Sequence, residues 1–184
     1  NPLDGLIITG APVEHLSFED VNYWSELVGL IEEAKCKCAS TLGLCWAGFA
    51  MAYLAGVDKQ NFEKKLFGVY PMRSLVPGHS LMGTQDDEFL CPQSRYAGLP
   101  DNEMEDAERK GKLRLLAHGH KVGYTIFETP DQRQLMHLGH PEYNVDRLKS
   151  EMQRDKERGD VPPPENFDLS KSNTSWRSHR NLLF

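Results

Sequence analysis

Apolar residues fall into short runs along this chain, and the spacing inside each run predicts the element it forms. Leu6-Ile7-Ile8-Thr9 is a β-branched run that ends at Gly10-Ala11-Pro12, which reads as a buried strand entering a loop. Ser17-Phe18-Glu19-Asp20 then has the form of a helix start, an N-cap serine with an acid three residues on. Val21, Trp24, Leu27, Val28 and Ile31 recur at helical spacing, so a helix is expected from about Phe18 to Ala34 with that stripe in the core. A second strand is expected over about Lys37 to Leu44, reaching Cys45. Trp46 to Ala55 follows with strong helix composition and stops at Gly56. Strand, helix, strand and helix in that order predict an α/β fold: a mostly parallel open sheet with helices on both faces. Further strands are expected at Leu66–Tyr70, Glu88–Cys91, Leu113–His118, Gly123–Phe127 and Gln134–Leu138. A helix is expected from about Val145 to Glu157, ended by Gly159, and then an irregular wrap through Pro162–Pro164 and Asn166 to Ser175.

Composition narrows the class. With 184 residues, 39% hydrophobic and 26% charged, the chain has the make-up of one soluble globular domain. Its longest apolar stretches, at 3–8 and 47–55, are too short to span a bilayer, so no membrane partner is expected. No basic start followed by an apolar run reads as a signal peptide. Lys and Arg number 21 against 27 Asp and Glu, net −6, which argues against nucleic acid as the partner. Cys36, Cys38, Cys45 and Cys91 read as free thiols in a reducing cytoplasm, the expected location. Cys36-Lys37-Cys38 lacks the second pair of a zinc site and reads as a buried strand with two small apolar side chains. His15, His79, His118, His120, His137 and His179 show no ligand pattern, so no metal is expected. His118-Gly119-His120 reads as a turn between two strands. No phosphate loop or dinucleotide fingerprint is present.

Two short segments carry candidate chemistry. Cys45 stands where a strand meets a helix, the edge at which open α/β sheets place their sites. Such a turn exposes a nucleophile, the helix start favours a thiolate, and the amide of Trp46 faces an oxyanion. A buried structural cysteine fits that position equally well. In Gly139-His140-Pro141-Glu142, His140 and Glu142 are two apart in an extended segment and emerge on the same side. The carboxylate can then fix the imidazole tautomer and leave its other nitrogen as a base, giving a Cys-His-Glu triad with Cys45. An isolated His-x-Glu also suits a solvated loop.

The strings GLIITGAPVE (5–14), TLGLCWAG (41–48), KKLFGVY (64–70), SRY (94–96), GHPEY (139–143) and WRSHRNLLF (176–184) occur in this order. Together they resemble the homoserine O-acyltransferase (homoserine transsuccinylase) family over nearly the whole chain. The resemblance implies a class I glutamine amidotransferase-like, flavodoxin-like three-layer fold. It implies Cys45 as the acylated nucleophile, His140 as base and Glu142 as its orienting acid. Lys65, Ser94 and Arg154 match substrate-binding positions, and a guanidinium at Arg154 suits an amino acid's carboxylate. Glu14 matches a position that is glycine in succinyl-transferring members and glutamate in acetyl-transferring ones. A glutamate there repels the distal carboxylate of succinyl-CoA and leaves an acetyl group unopposed.

The expected activity is transfer of acetyl from acetyl-CoA, a co-substrate with no bound cofactor, to L-homoserine through an acyl-cysteine, in methionine biosynthesis. L-Serine is the alternative acceptor, since one methylene discriminates by only about 1–3 kcal/mol and Gly43 and Phe49 depart from many relatives. Succinyl-CoA is the alternative donor. A glutaminase-type amidotransferase subunit, a cysteine hydrolase and a catalytically idle binding module are the competing classes. A homodimer is the expected assembly. The family also has segments before and after these motifs, so residues 1–184 are expected to be one acyltransferase domain lacking terminal parts.

Overall fold

The computed structural model describes residues 3–83, 85–159, 162–170 and 173–183. Its elements run β1 (Leu3–Ile8), α1 (Trp24–Lys37), β2 (Cys38–Leu44), α2 (Trp46–Leu54), β3 (Gln60–Ser74) and β4 (Glu88–Gly98). They continue with α3 (Asp101–Arg109), β5 (Arg114–Gly119), β6 (Gly123–Glu128), β7 (Gln134–His137), α4 (Val145–Arg158) and α5 (Arg177–Leu183). The strands form one sheet in the order β1-β2-β7-β6-β5-β3-β4.

The α/β class and three-layer plan are as the sequence predicts, but the strand directions are mixed. β1, β2 and β7 are parallel, whereas β7-β6-β5-β3-β4 are antiparallel throughout. The short links β5–β6 and β6–β7 leave no room for a crossover, so those neighbours must reverse direction. The parallel half is the one that carries Cys45.

α1, α2 and α3 pack Ile31, Phe49 and Met104 onto Leu115, Phe127 and Met136 on one face of the sheet. Met72, Leu116, Ile126 and Met82 fill the opposite face, where α5 adds His179 against Phe89. A third cluster joins Phe67 and Val69 to Leu148 of α4 and to Trp176. The Trp176 indole donates to the Tyr143 carbonyl at 2.7 Å, which fastens the carboxyl segment to the turn after His140. The wrap itself adds backbone bonds from Val69 to Glu165 and from Glu165 to Phe67, both 2.9 Å. Gly68 makes this approach possible: at φ +149 it has no Cβ to collide with the Glu165 backbone.

Five local features differ from expectation. β1 is an edge strand, with Leu3 and Ile7 56% and 53% exposed, and is not buried. α1 starts at Trp24, because the Ser17 hydroxyl donates to the Asp20 carboxylate (2.8 Å) and caps no helix. Residues 17–22 form turns that still bury Phe18 and Val21. Cys36 is an exposed residue of α1, and of the pair only Cys38 is buried. α3 was not anticipated, although it has acids in its first turn and buries Met104 and Ala107 three residues apart. α5 likewise follows the wrap unannounced. No helix among the described residues is long and apolar enough to cross a membrane.

Candidate active site

Cys45 sits at the β2–α2 junction with φ 52 and ψ −118, a conformation that L-residues rarely adopt. Such strain at one residue is held by its surroundings. The Cys45 amide donates to the His137 carbonyl at 2.8 Å, tying the elbow to β7. Gly43 and Gly48 let strand and helix close tightly, since a Cβ on Gly48 would stand 3.2 Å from the Gly43 carbonyl oxygen. Gly10 brings the loop after β1 over the thiol: a Cβ there would lie 3.0 Å from Cys45 Cβ and 3.5 Å from the Trp46 amide. The Trp46 N–H therefore stays reachable, as an oxyanion donor must be. Gly10 was missed from sequence, although Gly-Ala-Pro at a strand end marked the loop.

His140 is fixed from three sides. Its amide donates to the Pro92 carbonyl at 2.8 Å. Its Nδ1 lies 2.7 Å from Glu142 Oε1, and its ring stacks on Tyr143 with centroids 4.3 Å apart. The Nδ1 contact leaves the other ring nitrogen for Cys45. Burial pulls the imidazolium pKa down, but Cys45 and Glu142 outweigh it and raise the value to about 10.

The candidate triad Cys45, His140 and Glu142 and the candidate binding residues Glu14, Lys65, Ser94 and Arg154 line one cavity of about 790 Å³. Lys65 is buried between Glu151 (2.9 Å) and Asp155 (2.5 Å). The Ser94 hydroxyl donates to Glu151 Oε1 at 2.6 Å. Arg154 bonds Glu151 through Nη2 (2.9 Å) and Asp155 through Nη2 and Nε (2.9 and 3.0 Å). Glu151 and Asp155 were not picked out in advance. They are four residues apart on one face of α4, with Arg154 three after Glu151, a spacing legible in the sequence. Burial pushes the Glu151 carboxyl up, but the Ser94 hydroxyl and the Lys65 ammonium hold its pKa at about 2. Its Oε2 is buried with no hydrogen-bond partner among the described residues.

Gly43 and Phe49 do not face this cavity. Gly43 packs against α2, where a Cβ would stand 3.2 Å from the Gly48 amide, and Phe49 is fully buried. Both positions belong to core packing, which removes the reason to link them with the acceptor. Arg95, next to Ser94, is a fully buried cation that bonds Gln93 Oε1 (3.0 Å) and the Val122 carbonyl (2.6 Å). Burial pulls its pKa down to about 10, partly offset by Cys45 and Cys91.

The histidines that showed no ligand pattern do form one grouping. His137 and His179 meet Nε2 to Nε2 at 2.9 Å. With the Cys91 thiol they make a buried set whose ligand atoms all lie within 4.8 Å of one another. Strand pairing and α5 bring the three together across 88 residues, which spacing alone does not reveal.

Comparison with known proteins places this geometry. A family model described as homoserine O-succinyltransferase matches residues 1–184. A homoserine O-acetyltransferase of Bacillus cereus (strain AH820) is 39% identical over 188 residues, covering 98% of this chain and 62% of that protein. A homoserine O-acetyltransferase of Streptococcus pneumoniae (strain Hungary19A-6) is 42% identical over 166 residues, covering 89% of this chain and 52% of that protein. The chain thus spans less than two thirds of the length of either relative. Among solved structures, a glutamine amidotransferase from Thermotoga maritima superposes with TM-score 0.73 at 14% identity, over 96% of this chain and 74% of that one. A glutamine amidotransferase from Methylobacillus flagellatus gives TM-score 0.73 at 14% identity, over 97% and 72%. These structures share the fold.

Proposed function

This chain belongs to the homoserine O-succinyltransferase family, and we propose that its full-length protein moves an acetyl group from acetyl-CoA to the hydroxyl of L-homoserine through an acetyl-Cys45 intermediate. One observation carries the reading: a single cavity gathers the strained Cys45, the His140–Glu142 pair, Glu14 and the charged group around Glu151.

His140 takes the thiol proton, and Sγ attacks the thioester carbonyl. The Trp46 amide receives the oxyanion. The carbon–sulfur bond to coenzyme A breaks, and the leaving thiolate takes the proton back from His140. The amino acid then binds with its carboxylate on the Arg154 guanidinium, which lines the cavity. His140 removes the hydroxyl proton, the oxygen attacks the acyl-enzyme, and Cys45 is released. Lys65 and Ser94 hold Glu151 in place. No step calls for a metal or bound cofactor; acetyl-CoA is the co-substrate. Glu14 sets the donor, because its charge opposes a succinyl carboxylate in the same cavity. We place the enzyme in methionine biosynthesis in the cytoplasm, as a homodimer, with no nucleic acid or membrane partner.

The test is incubation of the full-length protein with acetyl-CoA or succinyl-CoA, without acceptor, followed by intact mass and peptide mapping. An acetyl adduct on Cys45 that homoserine discharges faster than serine is expected. Faster discharge by serine would reassign the acceptor, and a succinyl adduct would sink the role of Glu14. No adduct from either donor would overturn acyl transfer and favour a glutaminase or an idle module.

A further inference from the structure

We propose that Cys91, His137 and His179 form a buried binding site for a thiophilic divalent ion of the zinc type, and that filling it loosens the turn that holds His140. One thiol and two imidazoles are a donor set for a borderline-soft ion, and all three side chains are buried. The approach of the two histidines is already near that of a shared ion, which needs the nitrogens a few tenths of an ångström further apart than their 2.9 Å. His179 has the outer contact expected of a ligand, its Nδ1 lying 3.0 Å from Gln85 Oε1.

His137 supplies the coupling. Its Nδ1 accepts the Gly139 amide hydrogen at 3.0 Å, so the neutral ring carries its own hydrogen on Nε2, directed at His179. An ion on Nε2 displaces that hydrogen, and the neutral ring must then carry it on Nδ1. Two N–H groups would face each other at Gly139, and the bond is lost. Cys91 acts on the same turn. Its thiol donates to the Pro92 carbonyl, which also accepts the His140 amide. A Cβ on Gly139 would stand 2.7 Å from Cys91 Sγ, so the turn rests directly on the thiol. On binding, the Cys91 proton passes to solvent, the sulfur bonds the ion, and no oxidation state changes.

Cobalt(II) is the probe, added to full-length protein carrying Cys45→Ser so that the catalytic thiol cannot contribute. A thiolate-to-cobalt charge-transfer band at one equivalent is expected, and its loss when Cys91→Ser or Cys91→Ala is added. No band in the Cys45→Ser protein, or a band that survives both Cys91 changes, overturns the site. The coupling is read separately as the rate of acetyl-Cys45 formation under zinc. Cys91→Ser should need at least about tenfold more zinc than wild type for half inhibition. Equal sensitivity overturns the coupling. That second arm rests on the acyl-transfer reading, whereas the cobalt band does not, so the two failures are distinguishable.

Discussion

Cys45 with His140 and Cys91 with His137 use the same two side chains, and His137 and His140 are only three residues apart. Their environments give them opposite character. His140 opens on the cavity, faces Cys45 and bonds Glu142, and these two favour its imidazolium and raise the pKa to about 10. No acid among the described residues bonds His137 or His179, and burial drives both below the usual histidine value, His179 to about 4. Burial likewise pushes the Cys91 thiol up. A facing thiol, a carboxylate and access to a cavity together set the first grouping apart from the second.

The largest test of that contrast replaces each thiol in turn. Cys45→Ser should lower acyl transfer by on the order of 10⁴-fold or more, since losing the nucleophile removes the covalent route. Cys91→Ser should leave it within about twofold without added metal, a surface-like change in effect size despite the burial. Iodoacetamide with peptide mapping supplies the second readout: Cys45 should be alkylated at neutral pH while Cys91 stays unmodified. Equal labelling would erase the distinction between the two groupings.

Glu142→Gln sharpens the comparison by making His140 resemble His137. Without the carboxylate, the tautomer is no longer fixed, and the rate should fall by about 10³-fold. The pH profile moves in a defined direction. Cys45 and then Glu142 stabilise the imidazolium, so loss of Glu142 lowers the His140 pKa from about 10 while the Cys45 part of the shift remains. The alkaline limb of the rate of acyl-enzyme formation should therefore shift to lower pH. A limb that stays in place would show that Glu142 does not govern the imidazole.

The two groupings were not equally legible in the sequence. Cys45 sits at a strand–helix border and His140 two residues from Glu142, so local order and periodicity expose both. Strands β2, β5, β6 and β7 and helices α2 and α4 were legible for the same reason. Cys91, His137 and His179 lie on three separate elements, and only the strand order and α5 bring them together. The antiparallel half was misjudged because apolar runs show that a strand exists but not its direction. α1 was started too early because Ser17 and Asp20 have a capping pattern and instead bond each other. α3 was overlooked because its strongly charged sequence buries only Met104 and Ala107.

A second acid of the cavity, Glu151, extends the contrast between paired and unpaired burial. Glu151 is buried but compensated, with Ser94, Lys65 and Arg154 all on Oε1. Its folded pKa of about 2 lies below the ordinary 4.5. Stability from this group is therefore present above pH 4.5 and lost as pH falls from there toward 2. The full contribution at neutral pH is about 3 kcal/mol. Glu151→Gln should lower stability by about that amount at pH 7 and by much less at pH 3, read from urea unfolding. An equal loss at both values would mean that packing, not charge, is what Glu151 supplies.

Glu14 offers the smallest and most selective test. It lines the same cavity as Glu142 and Glu151, yet it is half-buried and makes no ion pair among the described residues. An unpaired carboxylate beside the acyl group repels a second one, and the cavity wall limits how far water can screen the two. Glu14→Gly removes both the charge and the bulk. The rate of succinyl-Cys45 formation relative to acetyl-Cys45 formation should rise by about tenfold, a difference of about 1.4 kcal/mol between donors. The comparison is internal to one protein, so a general loss of activity cancels in the ratio. An unchanged ratio with intact acyl transfer would place Glu14 away from the distal end of the donor, and the proposed preference for acetyl would then need another source in the cavity.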